Sequence, residues 1–508
     1  MTRKQKLFLN STTSLAYQFV ALICGFILPR VFLSTYGSAV NGLISSVTQF
    51  LGFISLCEMG VGAVIQSTLY KPLADGDGVT VSKIAKSSDR FFRTIAYILV
   101  GYTLVLMVGY PLITIDKFDY FYTFALILVI SISTFAQYYF GMTYRLILSA
   151  DQLGFIHFAV HTVSLVINTI VCVWFMHIGL SVHIVKLATS LIFLVQPVAI
   201  SIIAKRKYRI DRSVVLTEEP IKQKWNGLAQ HIAAVVLGNT DVVVLTLLST
   251  LNNVSVYSVY YLVVNGVKQI VISLTNGMQA MFGNMLAKNE MQELNQSFDV
   301  FEWLMHTFVT VVFYITAFAL VPFVRVYTDG ITDVNYIVPT FAVLIAISQA
   351  VICLQLPYKN IVLAAGHYKQ TQWSSIVEAV VNIVVSVILV WRYGLIGVAL
   401  GTIAAVLYRL LYMVWYLKKN IINRKLFYFI KHIVVDIVSI AVYAITCYYA
   451  KAWLSLGQDT WGGWVELAVK VSLICMLECV LLNTVLHFRK IKQVLAWVVS
   501  SRKRSCEL

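Results

Sequence analysis

The sequence is short of charge. Only 12% of its 508 residues are Asp, Glu, Lys or Arg, whereas 59% are hydrophobic. Soluble domains are about a quarter charged and about half apolar. The composition therefore excludes an ordinary soluble chain and indicates that lipid is the solvent of most of the protein.

Several enzyme signatures are absent as well. The sequence has no Gly-x-x-x-x-Gly-Lys-Ser/Thr phosphate-binding loop, which argues against direct ATP hydrolysis. It also has no His-Glu-x-x-His and no Gly-x-Ser-x-Gly motif. The predicted outer loops are too short to hold a catalytic domain. We predict that the protein is not an enzyme.

Cysteine gives no sign of a metal centre. Seven of the eight cysteines lie in apolar segments, and Cys506 lies near the C-terminus. Cys475 and Cys479 are one helical turn apart but have no histidine partner nearby in the sequence. The pattern is typical of small apolar residues in lipid. We expect no cofactor and no firm metal site, with Na⁺ or H⁺ as the one candidate coupling ion.

Long apolar runs dominate what is present. A helix needs about 20 apolar residues to cross a bilayer. We predict an all-α integral membrane protein of about fourteen transmembrane helices, in spans near 9–33, 39–67, 91–114, 119–143, 154–176, 180–203, 228–250, 257–283, 303–327, 335–358, 373–392, 395–417, 432–452 and 463–487.

The placement of basic residues sets the predicted orientation. The formal net charge is +16, and most Lys and Arg residues fall on the side of the membrane that carries both termini. The outer loops and the outer ends of the spans that border them hold four: Lys117, Arg325, Arg392 and Lys451. By the positive-inside rule we predict that both termini are cytoplasmic. We also predict that the protein lies in the cytoplasmic membrane. The basic, apolar start is interpreted as the first helix and not as a signal peptide.

The chain also repeats itself at an offset of about 214 residues. The Tyr144–Arg145 pair matches Tyr358–Lys359, and Asn168 matches Asn382. The pairs Gly179–Leu180 and Leu73–Ala74 recur at Gly394–Leu395 and Leu286–Ala287. A repeat unit of six helices predicts two lobes that enclose a central cavity in a V shape, and rocking of the lobes would give alternating access.

This repeat predicts the following organisation: an N-lobe of helices 1–6 (1–204), a basic cytoplasmic linker (205–227), a C-lobe of helices 7–12 (228–418), two appended helices (419–487) and a basic cytoplasmic tail (488–508).

Charges inside spans are candidate site residues, since each costs at least ~2.5 kcal/mol to place at the bilayer centre. Arg30, Glu58 and Lys186 in the first lobe and Lys268 in the second are predicted to line the substrate cavity. The alternatives are snorkelling for Arg30 and Lys186 and a structural ion pair for Glu58. Three deep cations suit an anionic substrate, because arginine and lysine both bind phosphate.

Three further residues suggest a cation site. Asp241 lies mid-helix, and Glu378 and Asn382 are four residues apart on one helix face. Carboxylate and amide oxygens suit Na⁺, and a lone carboxylate suits a proton. We predict cation coupling at Asp241, Glu378 and Asn382; the alternative for Asp241 is a pair with Lys268.

The stretch 29–77 resembles the first two helices of the polysaccharide-biosynthesis flippases, which belong to the multidrug/oligosaccharidyl-lipid/polysaccharide exporter superfamily. The likeness rests on Tyr36–Gly37, on Asn41–Gly42–Leu43, and on Glu58 with Gly60. The fourteen-helix layout and the six-plus-six repeat extend it over nearly the whole chain. Lipid II flippases share the layout, and multidrug and toxin extrusion transporters share twelve of the helices.

The resemblance implies a function. Members turn oligosaccharides or teichoic-acid-like repeat units, linked to undecaprenyl pyrophosphate, from the inner to the outer leaflet for surface polysaccharide biosynthesis. It implies membrane lipids and other glycan assembly proteins as partners, and no nucleic acid. Lipid II flippases carry a Na⁺ site on helices 7 and 11, where Asp241 and Glu378 fall by position. Glu378 stands where Asp is expected.

Three other functions remain open. A cation-coupled multidrug efflux transporter would need a cavity for amphipathic cations, which the deep Arg and Lys residues disfavour. A membrane-embedded enzyme of glycan assembly is disfavoured by the short outer loops. A scaffold that transports nothing would tolerate neutralisation of every buried charge.

Overall fold

A computed structural model describes residues 3–58, 61–208, 210, 211, 213, 214, 228–275, 278–422, 424–454, 460–487 and 490. These residues are nearly all helical, and no β-strand occurs among them. The predicted linker, 205–227, and the predicted tail, 488–508, lie mostly outside the described residues.

The first helices are α1 (Arg3–Gly52), α2 (Val61–Asp75), α3 (Gly78–Ile113), α4 (Tyr120–Ala136), α5 (Met142–Ala150), α6 (Gly154–His177), α7 (Val182–Tyr208), α8 (Leu228–Leu248) and α9 (Leu251–Leu274). The remaining helices are α10 (Met278–Ala287), α11 (Met291–Tyr327), α12 (Pro339–Leu354), α13 (Leu356–Ala364), α14 (Tyr368–Tyr393), α15 (Leu395–Asn420), α16 (Phe427–Tyr449), α17 (Lys451–Leu454) and α18 (Trp461–Leu486).

Ten helical stretches among the described residues are long and apolar enough to cross a membrane. Backbone polar groups in lipid must be satisfied within the segment, which a helix does and an open strand does not. The chain is a multi-pass, all-α membrane protein, as predicted. The exact count of fourteen spans stays a prediction.

The predicted second span, 39–67, is not one continuous helix. Helix α1 runs through the turn that precedes this span, with a kink at Gly37, whose φ of 80° is open to glycine. After Gly52 the chain tightens into a 3₁₀ turn, Phe53–Glu58, and α2 begins at Val61. A span broken at depth is tolerated where protein or water satisfies the freed backbone groups.

A second irregular turn lies between α4 and α5. Residues Gln137–Gly141 form a π turn, in which one extra residue widens the helix. Gly141 is required there, because a Cβ at this position would lie 2.6 Å from Cβ of Pro197 on α7. The turn therefore lets α7 pack directly against the junction of α4 and α5.

The chain divides into two compact units, Met1–Ser255 and Val256–Leu508. The first unit has a continuous core that includes Leu43, Ile65, Phe92 and Ile147, all almost fully buried. The core of the second unit includes the fully buried Phe298, Phe341 and Tyr358. The predicted lobe boundaries stay a prediction.

The backbone of each unit carries the repeat. Positive φ angles occur at Gly76, Gln152 and Gly179 in the first unit. They recur at Asn289, Gly366 and Gly394 in the second, at the offset that the sequence repeat predicts. Gln152 and Asn289 take a conformation that is uncommon for residues with a side chain. A shared turn geometry therefore accompanies the sequence matches.

Helices α14 and α15 pack in very close contact. Gly397 and Gly401 are four residues apart on α15, where a Cβ would lie 2.4 Å from the Leu389 carbonyl oxygen and 2.7 Å from the Ser386 amide nitrogen, respectively. Small residues at this spacing allow helix backbones to approach each other within a membrane. The predicted break at Gly394 is confirmed, since α14 ends at Tyr393 and α15 begins at Leu395.

The last long helices are part of the second unit. Val311 on α11 packs with Tyr443 of α16 and with Leu467 and Val471 of α18 in one buried cluster. Trp303 Nε1 donates a 2.8 Å hydrogen bond to Oδ1 of Asn483 on α18. Helices α16 and α18 are thus held by apolar packing and by a polar contact.

Candidate functional site

Glu58 lies at the end of the 3₁₀ turn that interrupts the second predicted span. The hydroxyl of Tyr138, in the π turn, donates a 2.5 Å hydrogen bond to Oε1 of Glu58. The two irregular turns of the first unit are therefore joined through one acid–phenol pair. The structural alternative that we predicted for Glu58 was an ion pair, whereas the hydrogen bond that it accepts comes from this phenol.

The broken backbone near Glu58 is satisfied by side chains from neighbouring helices. Nε2 of His231, on α8, lies 2.7 Å from the Ser55 carbonyl oxygen. The hydroxyl of Tyr102, on α3, donates a 2.8 Å hydrogen bond to the Phe50 carbonyl oxygen. These bonds stabilise a bend at which an α-helix would leave carbonyl groups without partners.

The predicted cavity cations of the first unit differ in environment. Lys186 on α7 places its ammonium 4.4 Å from the centre of the buried Phe32 ring. A cation over an aromatic face is stabilised electrostatically, more so where water is excluded. Arg30 lies half-buried on α1, next to Pro29. Their role towards a substrate stays a prediction.

Lys268, the predicted cavity cation of the second unit, lies on α9. Its ammonium is 3.4 Å from the Tyr261 hydroxyl and 5.3 Å from the centre of that ring. Tyr261 in turn stacks on Tyr257. Tyr257 and Tyr261 are one turn apart on α9, and Lys268 follows Tyr261 after two further turns. The three side chains therefore form a polar, aromatic face on this helix.

Asp241 and Glu378 lie in different units. Asp241, on α8, is 7% exposed. The neighbouring Asn239 and Thr240 both bond back to carbonyl oxygens four residues earlier on the same helix. Glu378 lies on α14 in the second unit. Assembly of the two acids into one cation site stays a prediction.

Two cations accompany Glu378. Nε of Arg409, on α15, lies 3.7 Å from Oε2 of Glu378, and both side chains are buried. Lys359 on α13 is close enough for its charge to act on the same carboxylate. Arg409 also donates to the Thr371 carbonyl oxygen at 3.1 Å and to the Ser374 hydroxyl. Arg409 is therefore a buried ion-pair partner of Glu378.

Asn382 is fully buried one turn from Glu378. Its amide donates a 3.1 Å hydrogen bond to Oγ1 of Thr402 on α15. The contact crosses the tight α14–α15 interface that Gly397 and Gly401 permit. Asn382 and Glu378 both point towards α15, as their shared helix face predicts.

Comparison with solved structures identifies the fold. A lipid II flippase in an inward closed conformation superposes with a TM-score of 0.70 at 14% identity, over 95% of this chain and 100% of that chain. An inward-facing multidrug resistance transporter of the MATE family, from the same superfamily, gives 0.56 at 14% identity, over 79% of this chain and 96% of that one. A eukaryotic MATE transporter gives 0.53 at 11% identity, over 81% and 97%.

The chain has the fold of the multidrug/oligosaccharidyl-lipid/polysaccharide exporters. The sequence resemblance predicted this fold, and it is confirmed. No protein-family model matches the sequence, and no curated protein matches it.

The second unit also contains a buried polar network that was not predicted from the sequence. Glu302, on α11, is 1% exposed and accepts a 2.6 Å hydrogen bond from the Tyr358 hydroxyl. Arg424, which precedes α16, forms ion pairs with Glu302 and, at 2.6 Å, with Asp299. Nε2 of His432 lies 3.5 Å from Oε2 of Glu302.

The network continues from α11 into α16. Nδ1 of His306 lies 2.5 Å from Oδ2 of Asp436, and the His306 and His432 rings stack with centres 5.1 Å apart. Oxygen and nitrogen atoms of Asp299, Glu302 and His432 are close enough together to suit a metal ion. However, the guanidinium of Arg424 already pairs with both carboxylates, which makes this a buried ion-pair network.

Sequence reasoning found the charges but missed their neutral partners. Glu58 and Glu378 stood out as acids within apolar runs. Tyr138 gave no comparable signal, because tyrosine is frequent at membrane interfaces. His231 and His306 were not singled out from the sequence. One signal was available: Tyr358 and Tyr144 are repeat mates, so a shared bonding role for them was predictable.

Proposed function

We propose that this protein is a flippase that moves undecaprenyl-pyrophosphate-linked oligosaccharide or teichoic-acid-like repeat units from the inner to the outer leaflet of the cytoplasmic membrane. Alternating access is the proposed mechanism, and surface polysaccharide biosynthesis the proposed role. The observation that carries the proposal is the extent of the flippase match, 95% of this chain, against 79–81% for the two MATE transporters.

The buried polar groups support a transport function. Charged side chains within spans are costly and generally serve substrates, ions or structural pairs. Glu58 lies where the span is broken and irregular backbone is exposed to side-chain partners, as at transporter sites.

The coupling ion is part of the proposal, with Asp241, Glu378 and Asn382 as its ligands. The positive charges of Arg409 and Lys359 beside Glu378 disfavour the binding of a metal cation there, because like charges repel strongly at low dielectric. We therefore favour H⁺ over Na⁺ at Glu378. A substrate with two negative charges is already driven outward by about 2.3 kcal/mol per charge per 100 mV of inside-negative potential.

A depletion strain tests the function. We expect complete undecaprenyl-linked repeat units to accumulate on the cytoplasmic leaflet, where mass spectrometry of the extracted lipid identifies the cargo. Re-expression of the wild-type chain should clear the intermediate, and Glu58→Gln should clear it poorly. The matched control is Glu466→Gln, at an exposed acid on α18. Normal intermediates together with intact surface glycan would contradict the proposal.

The second candidate is multidrug efflux, which the MATE matches favour. A knockout strain that becomes sensitive to amphipathic cations, with unchanged undecaprenyl-linked lipids, would establish it in place of flipping.

A further inference from the structure

A cluster of polar and basic side chains lies inside the first unit, near the end of its helices that carries the N-terminus. Four helices and the π turn contribute to it. Its members are Tyr17 (α1), Tyr138 (π turn), Arg145 (α5), His157 and His161 (α6) and Gln196 (α7).

Direct contacts hold the neutral members together. Nε2 of Gln196 lies 3.0 Å from Nδ1 of His161 and 3.5 Å from Nδ1 of His157. The Tyr17 ring packs edge-on against His161 with ring centres 4.9 Å apart. All four side chains are half-buried, so each is positioned by neighbours but stays accessible on one side.

The local fold explains why these helices converge. Asn10 on α1 accepts a 2.6 Å hydrogen bond from the backbone amide of Phe155, and Lys6 pairs with Asp151 at 2.8 Å. These contacts fix α1 beside the start of α6. Gly141 allows Pro197 to approach the π turn, which brings the adjacent Gln196 towards α5.

Arg145 supplies the positive charge of the cluster. It is close enough to act electrostatically on Tyr17, Tyr138, His157 and His161. Among the described residues, no carboxylate lies within ion-pair distance of its guanidinium. Both Arg145 and Glu58 act electrostatically on Tyr138, and Glu58 also accepts the hydrogen bond from its hydroxyl.

The repeat mate of Arg145 shows the contrast. Lys359 occupies the equivalent position in the second unit. There the carboxylate of Glu378 interacts with the positive charges of both Lys359 and Arg409. The residue equivalent to Glu378 in the first unit is Ser164, which carries no charge. In the second unit an acid therefore lies beside the repeat mate of Arg145, whereas the equivalent position in the first unit carries no charge.

We propose that Arg145, together with His157 and His161, binds the pyrophosphate group of a polyprenyl-linked substrate; this inference rests on the proposed function. A guanidinium matches phosphate oxygens as a two-pronged donor, and imidazole, phenol and amide groups add further donors. The predicted topology places the cluster in the cytoplasmic half of the membrane. A substrate taken from the inner leaflet would meet it there with its pyrophosphate.

The same groups do not suit a metal cation. His157 and His161 are one turn apart, as in many metal sites, but Nδ1 of each faces the Gln196 amide. Arg145 adds a positive charge that would repel a bound cation. The positive charge of Arg145 therefore favours an anion over a cation at this cluster.

Binding measurements on the full-length chain in nanodiscs test the inference, with undecaprenyl pyrophosphate, undecaprenol and inorganic pyrophosphate as probes. We expect Arg145→Gln to weaken undecaprenyl pyrophosphate binding by about 10- to 100-fold, as for loss of a charged hydrogen-bonding partner, and to leave undecaprenol binding unchanged. Arg145→Lys should lose less, since it keeps the charge. The matched control is Arg90→Gln, at an exposed arginine on α3.

The remaining outcomes distinguish failure of this inference from failure of the flippase proposal. Equal affinity of the wild-type and Arg145→Gln proteins for undecaprenyl pyrophosphate would overturn this inference and leave the flippase proposal in place. A wild-type chain that binds undecaprenyl pyrophosphate no better than undecaprenol would overturn both. Inorganic pyrophosphate bound as tightly as the lipid would overturn the assignment to a lipid headgroup. If Arg145→Gln does not fold, His161→Gln takes its place and should weaken pyrophosphate binding selectively.

Discussion

The hydroxyl of Tyr358 donates a 2.6 Å hydrogen bond to Oε1 of Glu302. The same bond recurs in the first unit, where the repeat mate Tyr144 donates to Oδ2 of Asp89 at 3.0 Å. In each unit a tyrosine at the end of one helix thus holds an acid on another. The bond in the second unit is the deeper one, since Glu302 is 1% exposed.

Tyr358→Phe should destabilise the protein more than Tyr144→Phe. Removing a buried donor leaves the Glu302 oxygen short of a partner, at a cost of about 1–3 kcal/mol. The melting temperature in detergent measures the difference. Tyr428→Phe, at a partly exposed tyrosine on α16, is the control and should change it little. Equal effects at Tyr358 and Tyr428 would contradict the assigned role.

Asp436→Asn should loosen the docking of α16 on α11. His306 then loses its carboxylate hydrogen-bond partner, and a buried polar group left without its partner costs about 1–3 kcal/mol. Limited proteolysis and thermal unfolding report the change. Glu466→Gln removes an acid that is half exposed on α18 and should leave both measurements near the wild-type values. A proteolysis pattern for Asp436→Asn that matches the wild type would refute the prediction.

Glu378→Gln should make flipping insensitive to an imposed pH gradient, because the variant mimics a permanently protonated acid. Flipping of a fluorescent polyprenyl-pyrophosphate glycan in proteoliposomes measures this, under pH and Na⁺ gradients applied separately. Glu293→Gln, at an exposed acid in the first turn of α11, is the control. A variant that responds to both gradients as the wild type does would remove Glu378 from coupling.

Gly401→Ala should separate α14 from α15. Its Cβ would lie 2.7 Å from the Ser386 backbone nitrogen, so the helices must move apart. Overpacking of this kind typically costs about 1–3 kcal/mol. The matched control is Gly101→Ala on α3, where nothing lies within 4 Å of the new methyl group. A melting temperature that is unchanged in both variants would contradict this prediction, because it would show that the α14–α15 interface accommodates the extra methyl group.

Asp77, in the loop before α3, should make the free energy of unfolding depend on pH in the acid range. It caps α3 and accepts hydrogen bonds from the Thr80 hydroxyl and amide, which lower the pKa of its carboxyl from 3.8. A lowered folded-state pKa means that the contribution is complete above about pH 4 and disappears as the pH falls through the lower folded value. The stability gap between wild type and Asp77→Ala should therefore be constant from pH 7 to 4 and close below it. A gap that widens on acidification would contradict this sign.

How far the sequence predicted the structure depends on the signal. Apolar length identified the helices, because it follows from bilayer thickness. The exporter fold was predicted by the family resemblance of residues 29–77 together with the 214-residue repeat. Glu58 and Glu378 were found because charge in an apolar run is rare.

The 3₁₀ turn at Phe53–Glu58 was missed, since its sequence is as apolar as the helices around it. Arg145 was counted as a loop residue, because the predicted span ended at residue 143, whereas the helix continues to Ala150. The contacts of both depend on tertiary packing, which a linear hydrophobicity pattern does not contain.

The pairing of His306 with Asp436 also has a consequence for biosynthesis. The two residues are 130 positions apart, and synthesis at about 5–20 residues per second separates them by roughly 7–26 s. During that interval α11 is already made, while the side chains that neutralise it are still to come. His306 therefore has to be accommodated without its carboxylate partner until α16 has been made. A chain truncated before α16 should be recognised by quality-control proteases as an orphaned helix.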